Sequence, residues 1–319
     1  MPDMDSSAAR SSKAKGSYLV RVRANTAICR EHWRLVLGLR RFPEAQPGQF
    51  LQILCRDPKD TTWGGSTFLR RPFSIAGIRR ASQGVEIDII HRVIGRGTRW
   101  LGHLQPGDEV SILGPQGRPF AIHRDRKVAY LVGGGVGLPP VLWLAEAVQR
   151  AGLRAVAFCG ARTADSLPLT IQAKTEVGVD LPTMAIDEFA RTGTPAIVCT
   201  DDGSLGTRGL IPDEFERYVR KHRDEATAAA VYTCGPEAMM RAVAEACERY
   251  NMPCQVCMER MMACGMGTCQ SCVVPVRDST DPEGWRYRLC CTDGPVFDSR
   301  QIIWDRSGGP AKGGQSRRK

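Results

Sequence analysis

A chain of 319 residues, of which 42% are hydrophobic, is long enough to bury several cores, which predicts two or three domains. The net charge is +10, but no run of Lys and Arg alternates with aromatic residues, so no nucleic acid partner is expected. No apolar stretch reaches the roughly 18 residues of a membrane-spanning helix, and the N-terminus does not resemble a signal peptide. We therefore expect a cytoplasmic protein with no membrane span and with polar, disordered tails at residues 1–16 and 306–319.

Short strands separated by turn residues are predicted along residues 17–124. The turns are marked by pairs such as Pro47-Gly48 and Gly114-Pro115. Strands that recur about every ten residues without a long helical pattern are typical of a small antiparallel β-barrel. The predicted strands are Tyr18–Ala24, Trp33–Leu39, Gln49–Cys55, Phe73–Ile78, Val85–Val93 and Glu109–Leu113.

Apolar strand patterns alternate with helical patterns from residue 125 to residue 251, which indicates a parallel α/β sheet. The first strand, Val128–Val132, leads through a glycine-rich loop into a helix predicted at Pro139–Ala151. Two later helices are predicted at Pro212–Lys221 and Glu237–Tyr250. The other predicted strands are Ala155–Phe158, Thr183–Ile186, Ala196–Cys199 and Ala229–Thr233.

The last segment, residues 252–305, is short and rich in cysteine, so a bound metal would compensate for its small apolar core. Cys264, Cys269 and Cys272 have the spacing C-x4-C-x2-C, and Cys290 and Cys291 follow. Such spacing indicates a 2Fe-2S cluster held by four thiolates. Zinc is the competing metal, although no His follows Cys264 to complete a common zinc site.

Two parts of the first region contain the residue types that bind FAD. In Arg71-Pro72-Phe73-Ser74, an arginine can neutralise the pyrophosphate, an aromatic ring can cover the isoalloxazine, and a hydroxyl can bond its polar edge. A second set of contacts is expected from Ile90-His91-Arg92. Gly97 and Thr98 suit backbone and hydroxyl contacts to a phosphate.

The segment Gly133-Gly134-Gly135-Val136-Gly137 follows a strand and opens a helix, which indicates a pyrophosphate site, with a plain tight turn as the alternative. It is not the G-x-G-x-x-G pattern, so a regular Rossmann site is not predicted. Cys234-Gly235-Pro236 ends a later strand, where a buried structural thiol is the alternative to a role beside the nicotinamide. Asp201 and Asp202 end another strand and would repel the 2′-phosphate of NADP, which favours NAD(H).

Taken in order, these segments resemble the electron-transfer subunit of type B dihydroorotate dehydrogenases. Met262–Cys269 carries the resemblance, together with Cys291–Phe297, since one cysteine of that family precedes an acidic-Gly-Pro-Val-Phe run by two residues. The resemblance covers residues 17–304 and implies Cys291 as the fourth ligand. It also implies the ferredoxin reductase superfamily: an FAD-binding antiparallel β-barrel at 17–124, a parallel α/β NAD-binding domain at 125–251 and a 2Fe-2S domain at 252–305.

The resemblance implies roles for single residues as well. Arg71–Ser74 corresponds to the flavin motif, and Cys234 would be the catalytic cysteine beside the nicotinamide. The family usually has a Tyr where His91 stands, which leaves the role of this position open. Cys254 and Cys257 lie outside the ligand set of the family and are interpreted as structural thiols.

The implied function is electron transfer between the cluster, FAD and NAD(H). FAD has to stand in the middle because nicotinamide exchanges two electrons as a hydride and the cluster exchanges one. The implied partner is the FMN-containing catalytic subunit that oxidises dihydroorotate in pyrimidine biosynthesis, within a heterotetramer. Two alternatives stay open: an FAD/2Fe-2S NAD(P)H reductase subunit of a sulfhydrogenase or ferredoxin-NAD(P) reductase type, and a zinc-stapled binding module without redox chemistry.

Overall fold

The structure is a computed structural model that describes residues 16–59, 67–173 and 175–306. Almost all of both predicted tails lies outside these residues. The described chain forms a seven-stranded antiparallel sheet, a second seven-stranded sheet that is mostly parallel, and a two-stranded hairpin. No helix of the described part is long and apolar enough to cross a membrane.

The N-terminal sheet contains only antiparallel pairs. Its strands are β1 (Gly16–Cys29), β2 (His32–Leu39), β3 (Phe50–Leu54), β4 (Arg71–Ser74), β5 (Gly77–Ala81), β6 (Gly84–Arg92) and β7 (Glu109–Gln116). In space they follow the order β4-β3-β7-β1-β2-β6-β5, so β4 and β5 are the two edges. Within the described residues no ladder joins these edges, so the sheet is open where the sequence predicts a barrel.

The sheet stays open because the predicted strand Phe73–Ile78 is interrupted. The N–H of Ile75 donates to the carbonyl of Gln49 at 3.1 Å, whereas the N–H of Ala76 donates to the carbonyl of Asp88 at 2.8 Å. The chain therefore leaves the β3 side of the sheet and reaches β6 within two residues. Two short strands result instead of the single strand that was predicted.

Alternate residues of these strands fill the core of the antiparallel sheet, where Ile87 and Ile89 are fully buried. A short helix, α1 (Arg96–His103), covers one end of the sheet and buries Leu101 in the same core. This helix was not predicted from the sequence. Its eight residues include two glycines and bury one large apolar side chain, which gives a weak helical pattern.

The second sheet lies between residues 128 and 298. Its first six strands are β8 (Val128–Gly134), β9 (Arg154–Ala161), β10 (Ala196–Thr200), β11 (Thr207–Arg208), β12 (Ala229–Cys234) and β13 (Cys254–Cys257). They pair in parallel in the order β11-β10-β9-β8-β12-β13. The helices between them are α2 (Leu138–Arg150), α3 (Asp187–Ala190), α4 (Ile211–Lys221), α5 (Arg223–Thr227) and α6 (Glu237–Arg249). The predicted alternation of strands and helices is therefore present.

One predicted strand of this region is wrong. The segment Thr183–Ile186 makes only isolated bridges, from Thr183 to Ala196 and from Ile186 to Ile171. Its two ends pair with different parts of the chain, so no continuous ladder forms. The apolar residues at 185 and 186 are buried against the sheet without being part of it.

The C-terminal segment packs directly on the second sheet. It contains the hairpin strands β14 (Val273–Arg277) and β15 (Trp285–Leu289), and then β16 (Val296–Asp298). Strand β16 pairs antiparallel with β13 and so extends the second sheet at its edge. Cys272 and Val274 share one hydrophobic core with Met240 and Val243 of α6. The cysteine-rich segment is thus joined to the α/β region by both a strand and a core.

Candidate functional site

The four predicted cluster cysteines lie in two pairs. The backbone N–H of Cys269 donates to Sγ of Cys264 at 3.4 Å, and the N–H of Cys291 donates to Sγ of Cys272 at 3.4 Å. Burial raises the pKa of the Cys291 thiol to about 12, and the neighbouring Cys272 and Cys264 add to this shift. The two pairs are therefore close enough to interact.

The arrangement in two pairs corresponds to the ligands of a 2Fe-2S cluster. A structural zinc site needs four ligands around one centre. A 2Fe-2S cluster is held by four cysteines, two on each iron. The pairs Cys264/Cys269 and Cys272/Cys291 match the second requirement.

Residues 262–272, which we call the cluster loop, direct hydrogen-bond donors at sulfur. The N–H of Met266 donates to Sγ of Cys264 at 3.4 Å, beside the bond from Cys269. Sγ of Cys269 lies 3.2 Å from Oγ of Ser271, and this bond is the main cause that lowers the pKa of the Cys269 thiol to about 6. A lowered pKa favours the thiolate, which is the form that binds metal. Gly265 has a φ of +70°, a conformation that glycine adopts without strain.

The spacing alone does not decide whether Cys290 or Cys291 is the fourth ligand, but the two thiols have different surroundings in the structure. The thiol of Cys290 is fully buried and donates to the carbonyl of Met258 at 3.3 Å. Cys291 instead lies beside Cys272. This geometry favours Cys291 as the fourth ligand, in agreement with the resemblance.

The flavin motif Arg71–Ser74 forms β4, the edge strand beside β3. Phe73 faces β6, where its ring lies 6.0 Å from the ring of His91 at an interplanar angle of 74°. Arg71 is exposed and, among the described residues, its guanidinium hydrogen-bonds only the carbonyls of Leu69 and Arg70. An exposed guanidinium without a carboxylate partner is suited to bind a pyrophosphate.

His91 gives a test of whether this region fits a bound flavin. The side chain is buried, and neither ring nitrogen has a hydrogen-bond partner in the part of the chain that the structure describes. Burial lowers the pKa of His91 to about 4, so the ring is neutral at physiological pH. A neutral imidazole has one donor and one acceptor, and buried polar atoms normally have partners. The polar edge of a flavin would supply one.

Three other predicted flavin residues have structural contacts of their own. Arg92 forms an ion pair with Glu31 at 2.6 Å, and Ile90 is buried in the core shared with α2. The hydroxyl of Thr98 accepts the N–H groups of Ile94 and Gly95 at 2.9 and 3.1 Å, so it caps α1. A free hydroxyl contact from Thr98 to a phosphate is therefore not what the structure offers. The first-turn N–H groups of α1 remain as candidate donors.

At the start of α1, Gly97 lies close to the end of the flavin strands. A Cβ on Gly97 would lie 3.1 Å from Cβ of Cys55, so a larger side chain would push the helix away. The structure thus brings the start of α1 next to the β3–β4 edge, as a shared flavin site requires.

Residues 133–137, which we call the nucleotide loop, end β8 and make one tight helical turn before α2. A Cβ on Gly137 would lie 2.5 Å from Cα of Gly235, and one on Gly134 would lie 2.6 Å from Sδ of Met239. Gly135 has a φ of +54°. Only glycines therefore allow the loop to lie against the end of β12, where Cys234 pairs with Gly133.

This close approach brings the two predicted nucleotide segments together at the carboxyl edge of the parallel sheet. Exposed Val136 is at the tip of the loop. The start of α2 offers fewer donors than expected, because its second and third residues, Pro139 and Pro140, have no N–H. Donors to a pyrophosphate would come from the loop itself.

Cys234 is buried at the end of β12, and its thiol donates to the carbonyl of Cys257 at 3.4 Å. None of the 13 cysteines forms a disulfide. The pKa of the Cys257 thiol is raised well above its usual value, first by the hydrogen bond with Cys234 and then by burial. Cys254 is likewise buried and hydrogen-bonds the thiol of Cys247. Both Cys254 and Cys257 have the surroundings expected of structural thiols.

At the end of β10, Asp201 and Asp202 are exposed. The carboxylate of Asp202 accepts the N–H and the hydroxyl of Ser204 at 3.0 and 2.7 Å, and these bonds lower the pKa of Asp202. The carboxylate is thus held ionised at this edge of the sheet.

One residue beside the cluster loop, Gln52, was not predicted from the sequence. Gln52 is fully buried in the middle of β3, and its side chain lies against the cluster loop. The available signal was a polar residue inside the apolar run Phe50–Leu54. Such a residue breaks the pattern of a buried strand and calls for a specific partner.

Two protein families match parts of this chain. The iron-sulfur cluster binding domain of dihydroorotate dehydrogenase B matches residues 259–303, and the siderophore-interacting FAD-binding domain matches residues 38–119. The fold resembles a solved NADH-dependent reduced ferredoxin-NADP oxidoreductase, with a TM-score of 0.68 at 24% identity over 91% of each chain. It also resembles the ferredoxin reductase of a carbazole 1,9a-dioxygenase, with a TM-score of 0.57 at 20% identity over 75% of this chain and 66% of that one. The fold is therefore that of ferredoxin reductases.

Curated relatives extend over most of the chain. The electron transfer subunit of dihydroorotate dehydrogenase B (NAD(+)) from Caldanaerobacter subterraneus subsp. tengcongensis is 32% identical, over 89% of this chain and 97% of that protein. The same subunit from Streptococcus mutans is 34% identical over 82% and 88%, and that from Geobacillus kaustophilus is 34% identical over 88% and 96%. With the paired cluster cysteines and the reductase fold in place, the chain belongs to the family of electron transfer subunits of dihydroorotate dehydrogenase B.

Proposed function

We propose that this chain takes electrons from the FMN-containing catalytic subunit of a dihydroorotate dehydrogenase and delivers them to NAD⁺, within pyrimidine biosynthesis. The chain is an oxidoreductase subunit that transfers electrons between a 2Fe-2S cluster, FAD and NAD(H). The observation that carries the proposal is that Cys264, Cys269, Cys272 and Cys291 lie as two neighbouring pairs, with Cys269 exposed. Their loop contacts Gln52 of the strand that pairs with the flavin motif.

In the proposed cluster site, Cys264, Cys269, Cys272 and Cys291 are the ligands. Their pairing supports two thiolates on each iron. The N–H groups of Met266 and Cys269 point at sulfur and would stabilise the negative charge that the cluster gains on reduction.

In the proposed flavin site, Arg71 binds the pyrophosphate of FAD, Phe73 covers the ring, and Ser74 and His91 bond its polar atoms. Bound FAD supplies the exchange between two electrons from a nicotinamide and single electrons for the cluster. Pro72 keeps β4 extended at the sheet edge, where its missing N–H costs nothing. We assign the flavin domain to residues 17–124 and take the open antiparallel sheet as the counterpart of the barrel that the family implies.

In the proposed nucleotide site, at residues 125–251, the nucleotide loop binds the pyrophosphate of NAD(H). Cys234-Gly235-Pro236 borders the nicotinamide, with the Cys234 thiol as the group that touches it. The ionised carboxylate of Asp202 disfavours the 2′-phosphate of NADP by charge repulsion. The third proposed domain is the cluster domain, at residues 252–305.

The proposed partner is an FMN-containing catalytic subunit, in a heterotetramer. Exposed methionines around the cluster loop support such a docking surface, since Met261 and Met266 are 90% and 54% exposed. Thirteen cysteines without a disulfide support a location in the reducing cytoplasm.

The test is reconstitution with the FMN-containing subunit, followed by a measurement of dihydroorotate-dependent NAD⁺ reduction. The purified chain should contain iron, acid-labile sulfide and FAD. As a control, Cys269→Ser should lose the cluster and the coupled activity while it keeps FAD and NADH oxidation by an artificial acceptor. Anaerobically purified chain without iron and sulfide, or a loaded complex that never couples dihydroorotate to NAD⁺, would refute the proposal.

A further inference from the structure

One buried polar side chain connects the flavin strands with the cluster loop. Gln52 lies in the centre of β3, directly opposite Pro72 of the flavin motif in β4. Its backbone carbonyl accepts the guanidinium of Arg70 at 3.4 Å, and Arg70 is itself anchored to Ser111 of β7 at 2.8 and 2.9 Å. The backbone at Gln52 is therefore held from two sides.

The side chain of Gln52 extends to the cluster loop. Its Nε2 lies 3.6 Å from Sδ of Met262, a buried residue two positions before the ligand Cys264. A Cβ on Gly265 would lie 2.6 Å from Cδ of Gln52, so the amide occupies the space that this glycine leaves free. The side chain thus contacts the loop on both sides of a proposed cluster ligand.

A glutamine at position 52 is less favourable for the stability of the fold than an apolar residue would be. Oε1 of Gln52 is buried and has no hydrogen-bond partner within the described residues. A buried polar atom without a partner destabilises the folded state, and an apolar side chain of similar shape would avoid this cost. Gln116 has an unpartnered Oε1 as well, so what distinguishes Gln52 is its contact with Met262 and Gly265 of the cluster loop.

We propose that Gln52 is a positioning residue that seats the Cys264 end of the cluster loop against the flavin strands and thereby sets electron transfer between FAD and the cluster. This inference rests on the proposed function. Gln52 has no assigned contact with substrate. Its side chain acts through Met262 and Gly265, which lie on either side of the ligand Cys264 in the chain. The loop cannot shift relative to β3 and β4 without losing the Gln52 contacts.

The test uses the full chain and NADH in a rapid-mixing experiment, with flavin bleaching and cluster reduction followed at separate wavelengths. Gln52→Met removes the amide and keeps the length of the side chain. Gln116→Met is the matched control, because Gln116 is also buried in the antiparallel sheet with an unpartnered Oε1, and it has no side-chain hydrogen bond to the cluster loop in the described structure.

Gln52→Met should bind FAD and be reduced by NADH at the rate of the parent chain. Its cluster should become reduced several-fold more slowly, because electron transfer slows as the cluster loop moves away from the flavin strands. The electron paramagnetic resonance spectrum of the reduced cluster should change as well, which a loss of general stability would not cause. Gln116→Met should match the parent chain in all three measurements.

Equal rates of cluster reduction and equal spectra in Gln52→Met and the parent chain would overturn the proposal, as would the same slowing in Gln116→Met. If Gln52→Met is unstable, Gln52→Asn keeps the amide but withdraws it from the loop. Loss of iron with FAD retained then supports seating of the loop, whereas loss of folding in both variants refutes a specific role. A parent chain whose cluster NADH never reduces would instead refute the proposed function.

Discussion

The cluster loop and the nucleotide loop are both rich in glycine and both lie beside cysteines, yet they place sulfur in opposite environments. Cys269 of the cluster loop is exposed, and hydrogen bonds lower the pKa of its thiol to about 6. Cys257, next to the nucleotide loop, is buried, and its hydrogen bond with Cys234 and its burial raise its thiol pKa well above the usual value. The same residue type is prepared as an anionic ligand in one place and kept neutral in the other.

The glycines of the two loops also have different roles. In the cluster loop, the glycines turn backbone N–H groups towards Sγ of Cys264. In the nucleotide loop, they let two backbones meet, since a Cβ on Gly137 would touch Gly235. Glycine thus serves charge stabilisation in the first loop and close approach in the second.

The largest expected effect is the loss of the cluster when one of two adjacent cysteines is replaced by serine. Cys291→Ser should abolish the 2Fe-2S cluster because its thiol hydrogen-bonds the thiol of Cys272, whereas Cys290→Ser should keep it because that thiol donates to the carbonyl of Met258. Iron and acid-labile sulfide content and the visible spectrum measure the outcome. A Cys290→Ser chain without iron beside an iron-loaded Cys291→Ser chain would reverse the assignment of ligand and structural thiol.

The next effect tests close approach in the nucleotide loop. Gly137→Ala should destabilise the fold by about 1–3 kcal/mol through overpacking against Gly235, and it should slow flavin reduction by NADH while the cluster stays bound. Gly135→Ala is the control, because a Cβ there meets open space and only the φ of +54° is strained. Steady-state NADH oxidation and urea unfolding measure both effects. Equal losses in the two variants would count against backbone contact as the reason for glycine.

A smaller effect concerns pH and the buried His91. Because burial lowers its pKa to about 4 in the folded chain, the unfolded chain binds more protons between that value and the ordinary 6.5. Stability should therefore fall as the pH falls from 6.5 towards 4, by up to about 1.4 kcal/mol per pH unit from this group. His91→Phe should flatten this slope in urea unfolding, although buried His32, whose pKa is also lowered by burial, keeps part of it.

The control for this pH dependence is His103→Gln, which changes an exposed histidine at the end of α1. Its unfolding should show the same slope with pH as the parent chain. An unchanged slope in His91→Phe would mean that His91 does not stay neutral in the fold.

The smallest effect concerns the choice of nucleotide. Asp202→Asn should raise the kcat/KM for NADPH relative to NADH about fivefold, because it removes about 1 kcal/mol of repulsion between two exposed charges. The ratio of kcat/KM values for the two nucleotides measures it, and the cluster spectrum should stay unchanged. A constant ratio would mean that the adenosine ribose of the bound nucleotide does not lie near Asp202.

The sequence predicted the parts of this fold in which local pattern and tertiary structure agree. The helices after the nucleotide loop and after Pro236 begin within one residue of their predicted starts. The four cysteines that the spacing and the resemblance predict as ligands lie near one another, as Cys264 with Cys269 and Cys272 with Cys291. Buried parallel strands and ligand spacing are local signals, so one sequence is enough to read them.

The sequence could not predict the features that depend on contacts between distant residues. The break at Ile75 and Ala76 follows from bonds to Gln49 and Asp88, which no local pattern reveals. The Thr98 hydroxyl caps α1, and this role could not be predicted because the two glycines of α1 weaken its helical pattern. The contact of Gln52 with Met262 joins residues that are 210 positions apart.

The strand β16 has a consequence for how the protein can be divided. It pairs with β13 only after the chain has passed through the cysteine-rich segment, and it buries Val296 and Phe297 against the rest of the molecule. A truncation before residue 258 would leave β13 with an unpaired backbone edge and uncovered apolar neighbours, a surface that promotes aggregation. The cysteine-rich segment therefore covers the edge of the second sheet. Its removal should lower the solubility of the protein as well as abolish cluster binding.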